Sequence, residues 1–443
     1  MRGSAAFRVG VAPGGALAPS WVRDSVSRAA RSTPSLDLRF ADNKSLIDAT
    51  SGQSLVTFTR ASSGTYVGSD GLIKTATTNE ARFDHNPRTG ESLGLLVEEQ
   101  RTNSILHSEG FNITNWSLGA NITYSENTAD TTAPNGTNTA DKLTANAATS
   151  VEYRSIQAQS TSAQVALSVF AKAGTHSFLQ FRTTNASSGH VNFDLTSGTL
   201  AATTATGIIT AFPNGWYRCV AVFPAVSITN VQFELVTSLS AIRGEVWTAA
   251  GTESLYLWGA QLEAGSFPTS YIPTTSATVT RSADVASITG ANFSSWYRQD
   301  EGTVFAEFQT VIQDAANNRG VTAVDDGTNN NRVSLFIPAG NFPLGVASRV
   351  VSGGVATNPT NTGSITSSSI AKSAICYRVG TDGAAISVNG AIPAASSPAS
   401  APSGVNNLRI GTIFGTNNLG GTIRRLTYWP SRLPNSTLQE ITR

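Results

Sequence analysis

Four histidines, His85, His107, His176 and His190, supply all the imidazole chemistry in 443 residues. None is spaced as a metal pair such as H-E-x-x-H. His176 and His190 lie near consecutive strand-like runs, where two rings could meet. No G-x-S-x-G elbow, P-loop or dinucleotide fingerprint is present, so acyl transfer through a serine and nucleotide chemistry lack support. Paired carboxylates for glycoside hydrolysis are the serious enzymatic option. The adjacent acids are Glu98-Glu99, Asp300-Glu301 and Asp325-Asp326. Neighbours on a strand point to opposite faces, so such a doublet cannot flank one glycosidic bond. A working pair would have to be assembled from distant strands. Asp325-Asp326-Gly327 reads as a turn. A calcium loop with Asn329 to Asn331 is the alternative there, although the spacing fails the EF-hand pattern. No catalytic residue, metal ligand or cofactor is assigned.

Aromatic rings are the other resource. Trp116, Trp216, Trp247 and Trp258 fall in the middle of the chain, and exposed flat rings stack on sugar faces. Trp216 opens the strand-like run Gly215-Trp216-Tyr217-Arg218, and Trp258 lies in a run apolar on both faces, so both are expected in the core. Trp116 and Trp247 sit among Asn, Ser, Thr and Gly and are the expected sugar platforms, with Tyr153 behind them.

The elements that must carry these residues are strands. Lys+Arg 30 against Asp+Glu 29 leaves a net charge of +1, and charged residues are only 13%. That argues against a nucleic-acid binder working by phosphate neutralisation and against a long solvated disordered chain. Cys219 and Cys376 are too few and too far apart for a disulfide framework, and each sits in an apolar run as an expected buried thiol. No 18 apolar residues run together, so no membrane-inserted helix is expected.

Residues 1–34 are rich in Ala, Gly, Pro and Arg and read as neither a secretion signal nor a transit peptide. Ser20 is the expected cap of a short helix over Trp21–Ala30, with Trp21, Val22, Val26 and Ala29 on one stripe. From residue 35 the period becomes two. Residues 35–104 read as a small β region with an Asp70-Gly71 hairpin. Residues 105–278 read as a sandwich of short strands. In it Val231, Phe233 and Leu235 face one way and Gln232 and Glu234 the other, the pattern of a sheet with one wet face. Residues 279–443 read as a second sandwich closed by a helical turn through Thr437–Ile441. The fold class expected is all-β, tandem β-sandwich or jelly-roll domains behind a short, partly helical arm.

Several runs resemble tailed-bacteriophage fibre and spike proteins. Leu36-Asp37-Leu38-Arg39-Phe40, Phe58-Thr59-Arg60-Ala61-Ser62, Arg82-Phe83-Asp84-His85 and Gly94-Leu95-Leu96-Val97-Glu98-Glu99-Gln100-Arg101-Thr102-Asn103 form one block. Trp258-Gly259-Ala260-Gln261-Leu262-Glu263-Ala264-Gly265 with Pro268-Thr269-Ser270-Tyr271-Ile272-Pro273-Thr274 resembles the end of the carbohydrate-binding-like sandwich such proteins carry. Ser387-Val388-Asn389-Gly390, Leu408-Arg409-Ile410-Gly411 and Gly421-Thr422-Ile423-Arg424-Arg425 are similar to a concanavalin A/laminin G-like sandwich. The first two motifs are specific and the last is generic. The resemblance implies a virion surface component, a homotrimer, that displays its sandwiches to host glycan. The arm at 1–34, with Trp21, Arg23 and Arg28, is the candidate anchor to other virion proteins. A polysaccharide depolymerase and a purely architectural decoration protein are the alternatives.

Overall fold

The computed structural model describes residues 24–112, 116–118, 121–310, 317–340, 345–359, 363–413, 415 and 417–443. Strands dominate, and the four α-helices among the described residues span four to seven residues each. None is long and apolar enough to cross a membrane.

Two β-sandwiches carry the chain. The inner one uses residues 116–264. One sheet is ordered Thr206–Ala211, Trp216–Phe223, Val165–Ala173, Ser254–Ala264, Asp141–Ala145 and Ile122–Ser125. The other is ordered Thr199–Ala202, His190–Asp194, Phe178–Thr183, Ile228–Leu235, Tyr153–Thr161 and Trp116–Leu118. Alternate residues of facing strands, such as Leu167, Val169, Phe181, Phe193, Phe233 and Leu257, fill the space between them.

The outer sandwich draws strands from both ends of the sequence. Gly421–Trp429 is flanked in its sheet by Glu301–Thr310 on one side, and by Ser92–Val97 and Leu36–Leu38 on the other. Thr57–Thr59 joins the opposite sheet beside Val285–Thr289. One core holds Leu36, Leu38, Leu95 and Val97 together with Val304, Leu335, Ile375 and Leu426. The small β region expected at 35–104 therefore shares sheets and core with 279–443. Period-two patterning marks a strand but not its partner, so the sharing left no local signal. The ribbon Arg101–Asn103 paired with Val279–Arg281 is the neck from which the inner sandwich hangs.

The helix of the arm is Ser25–Ala30, capped by Asp24, whose carboxylate accepts from the Ser27 amide at 2.9 Å. Asp24 also pairs with Arg425 at 2.8 Å and Arg39 at 2.5 Å. Val26 and Ala30 pack with Leu438 and Ile441 of the terminal helix Asn435–Ile441, over Phe305, Cys376 and Trp429. Arg28 is exposed. Ser20, Trp21, Val22 and Arg23 lie outside the described residues. Cys219 and Cys376 are buried free thiols, and burial pushes the Cys376 thiol up to about 11.

Candidate functional site

Burial corrects two of the expected sugar platforms, Trp116 and Tyr153. Trp116 is 1% exposed, its ring 4.9 Å from Phe111 and 5.4 Å from Phe233. Tyr153 is fully buried, donating to the Ala148 carbonyl at 2.6 Å and accepting from the Ala249 amide at 2.9 Å. Polar neighbours marked the shortness of Trp116–Leu118, whereas Tyr153 opens the nine-residue strand Tyr153–Thr161; both rings join the core. Trp247 is half-buried, with its indole N–H on the Leu235 carbonyl at 3.0 Å and a face stacked on His176 at 5.5 Å. Trp216 and Trp258 are core residues, as their strands predict.

His176 and His190 do not meet. Antiparallel register sets His190 opposite Arg182 and Asp194 opposite Phe178, which places the two rings at opposite ends of the strand pair. Asp325 is taken by Arg409 at 2.6 Å and by the Gly327 amide at 2.8 Å. Asp326 accepts from Thr328 and Asn331. Both acids thus do turn chemistry. Among the described residues no group of three or more His, Cys, Asp or Glu is placed to hold a metal.

The charges that sequence reasoning passed over gather above the neck. Arg60, Arg82 and Arg281 are each at most 1% exposed, and they surround Asp284 and Glu98. Arg60 reaches Asp284 at 3.1 Å, Arg82 reaches Glu98 at 2.8 Å and also Asp284, and Arg281 lies 3.5 Å from Glu98. The backbone amide of Glu98 donates to Asp284 at 2.8 Å. Ser270, at the end of the inner sandwich, donates to both Glu98 oxygens at 2.7 Å. Glu99 points the other way and pairs with Arg101 at 2.6 Å and with Arg319. Glu98 and Glu99, just past the strand Ser92–Val97, thus engage different partners and do not form a carboxylate pair.

Beside this lattice, where the inner sandwich meets the outer one, lies a half-open cleft of about 180 Å³. Tyr66, Phe212, Pro268 and Tyr271 form apolar walls, and Asp84, Glu98 and Arg218 supply the polar groups. Arg218 is held by Thr269 O at 2.7 Å and Ser168 Oγ at 3.2 Å. Thr422, 4% exposed, lines the cleft with its hydroxyl unpartnered. Burial, helped by the Glu98 charge, pushes the Asp84 carboxyl up to about 6, against the pull of the Val67 amide at 2.6 Å. Burial acts upward on Glu98 too, but Arg281, Arg82 and Ser270 outweigh it and hold that carboxyl at about 2. Aromatic walls with a carboxyl, a guanidinium and a free hydroxyl suit a ring that is apolar on its faces and hydroxylated at its edge.

The raised Asp84 value fixes a sign. The folded state holds the proton more tightly than the unfolded one, so Asp84 weakens folding as pH rises from about 4 to 6. The expected loss is about 1–3 kcal/mol. Thermal melts of Asp84→Asn across that interval should show a flatter pH dependence than the parent; identical profiles would show Asp84 to be solvated.

No protein-family model and no curated protein matches the chain. Solved structures with similar portions include the CBM40 module of the Ruminococcus gnavus IT-sialidase bound to α2,3-sialyllactose. It is 17% identical over 33% of this chain and 84% of that one, with a TM-score of 0.28. Domain 4 of AbnA, an extracellular arabinanase from Geobacillus stearothermophilus, in complex with arabinotriose, is 10% identical over 40% and 82%, with a TM-score of 0.30. Domains LG4-5 of the mouse laminin α1 chain are 11% identical over 72% and 92%, with a TM-score of 0.24. At these TM-scores the likenesses carry no functional weight.

Proposed function

We propose that this protein is a surface component of a bacteriophage particle, a fibre or spike that binds host glycan without cleaving it. The junction cleft carries the binding half of this reading, because its walls and polar groups fit a hexose end. The virion half is supported by the motif block at 36–103 and by the run 258–274. Phe212→Ala removes a wall that is half-buried and packs edge-on against Phe170 at 5.0 Å. On an array of host-surface oligosaccharides it should weaken binding about tenfold, the equivalent of one lost ring contact. Unchanged binding would remove the cleft from the account.

Against a depolymerase stands the occupancy of Glu98. Both of its oxygens are engaged by Ser270 and one also by Arg82, so neither is free to activate water or attack a sugar. Incubation with capsular polysaccharide should yield no new reducing ends; their appearance, abolished by Asp84→Asn, would favour the enzyme.

Assembly follows the same reading. Removing residues 1–23, which spares Asp24 and the helix Ser25–Ala30 packed on the body, should leave a soluble homotrimer, measurable by native mass, that no longer enters particles.

A further inference from the structure

The alternation in Ile228–Leu235 that buries Val231, Phe233 and Leu235 sends Gln232 and Glu234 to the outer face of their sheet. Cross-strand register extends them into two rows. Asn192, Gln180, Glu234 and Arg154 stand opposite one another in the first, and His190, Arg182, Gln232 and Ile156 in the second. The expected wet face is polar but largely covered, because the segment 237–246 lies across the first row. Asn192 donates to the Leu239 and Ala241 carbonyls at 2.9 and 2.8 Å, and Gln180 accepts from the Gly244 amide at 2.9 Å. Gly244 has φ +65°, and a side chain there would meet Glu152 at 2.8 Å and Arg182 at 3.3 Å.

What remains open is an unbalanced cluster. Arg182 bonds Glu234 at 2.7 Å and Glu152 at 3.1 Å, and Arg154 also bonds Glu152. Arg243, brought in by the covering segment, bonds the Thr183 carbonyl and feels Glu234 only at a distance. Three guanidinium groups thus face two carboxylates. Burial and the Arg182 charge both work against protonation of Arg243 and of Arg154, a strain that an incoming anion relieves. Polar capacity is also unspent. The Nε–H groups of Arg154 and Arg243 have no acceptor, and Gln232, 4% exposed, has Oε1 without a donor. Beside these groups Ile242 and Val246 are 71% and 58% exposed.

We propose that this face is a second glycan site, separate from the junction cleft, that takes a carboxylate-bearing sugar. The sugar carboxylate sits between Arg154 and Arg243, where a planar fork matches it. A ring hydroxyl donates to Gln232 Oε1, and the apolar ring face lies toward Ile242. The proposal rests on the glycan-binding reading and adds the charge of the ligand to it.

The test is binding of the full chain to sialyllactose, trigalacturonate and a hyaluronan hexasaccharide, each beside its carboxyl-reduced counterpart. At least one acidic member should bind tenfold or more tightly than its reduced form, with the preference shrinking as salt is raised. Arg243→Gln should abolish that preference, and Phe212→Ala should leave it intact. Arg243→Lys, which keeps the charge without the fork, should retain part of it, and circular dichroism melts certify folding of all three. Equal binding of acidic and reduced forms, or a preference that survives Arg243→Gln, overturns the acidic site and leaves the cleft standing. A preference lost in Phe212→Ala instead transfers the acid to the cleft and overturns the separate site. Silence across all probes, extended to neutral oligosaccharides, sinks both readings.

Discussion

Asp284→Ala is expected to lower stability by about 3–5 kcal/mol, the cost of stripping one partner from a buried ionic cluster. Asp284 is 1% exposed and receives Arg60, Arg82 and the Glu98 amide. Without it, three buried guanidinium groups share Glu98 alone. The measurement is the guanidinium chloride midpoint at constant slope, which isolates a change in stability from a change in the surface exposed. Asp284→Asn keeps the shape and one acceptor, so it should fall between the parent and alanine. A loss below about 1 kcal/mol for alanine would show that water enters and solvates the arginines. The lattice ties Arg60, Arg82 and Glu98 to Arg281 and Asp284 across the neck, so its loss should loosen the seat of the inner sandwich as well.

Trp116→Ala is expected to cost about 3–5 kcal/mol through cavity formation. The ring is 1% exposed and wedged between Phe111 and Phe233, in an aromatic group that continues to Phe181. A lowered melting temperature with glycan binding retained below the transition marks a core residue. Unimpaired stability with lost glycan binding would restore Trp116 as a sugar platform.

Much of the fold was legible in period-two runs. The strands at 36–38, 231–235 and 255–261, the Asp70-Gly71 turn and the terminal helix all stand where local chemistry put them. Partnership was not legible. Nothing within Leu36–Leu38 says that its neighbour is Leu426–Tyr428. The cleft was hidden for the same reason. Asp84, Arg218 and Thr422 are unremarkable where they stand in the chain and acquire meaning only when three distant segments meet. Trp116 misled because flanking Asn, Ser and Thr report a short strand as readily as an exposed one, and Tyr153 because it takes the inward side of Tyr153–Thr161. Gln232 and Glu234 were legible as a polar face, but the backbone that covers the Glu234 row comes from a loop with no pattern of its own.

The neck and the shared outer sheets also impose an order of events during synthesis. Asp37 must wait for Thr427, its hydrogen-bond partner 390 residues away. At ordinary ribosomal speeds that delay is about 20–80 s. Every strand of the inner sandwich has emerged long before, so that unit closes first while the early segments, Leu36 and Leu95 among them, remain uncovered on the nascent chain. The last strand, Gly421–Trp429, then acts as a clasp between early and late segments. A translation stop before residue 421 would release a finished inner sandwich on an unclosed, aggregation-prone frame.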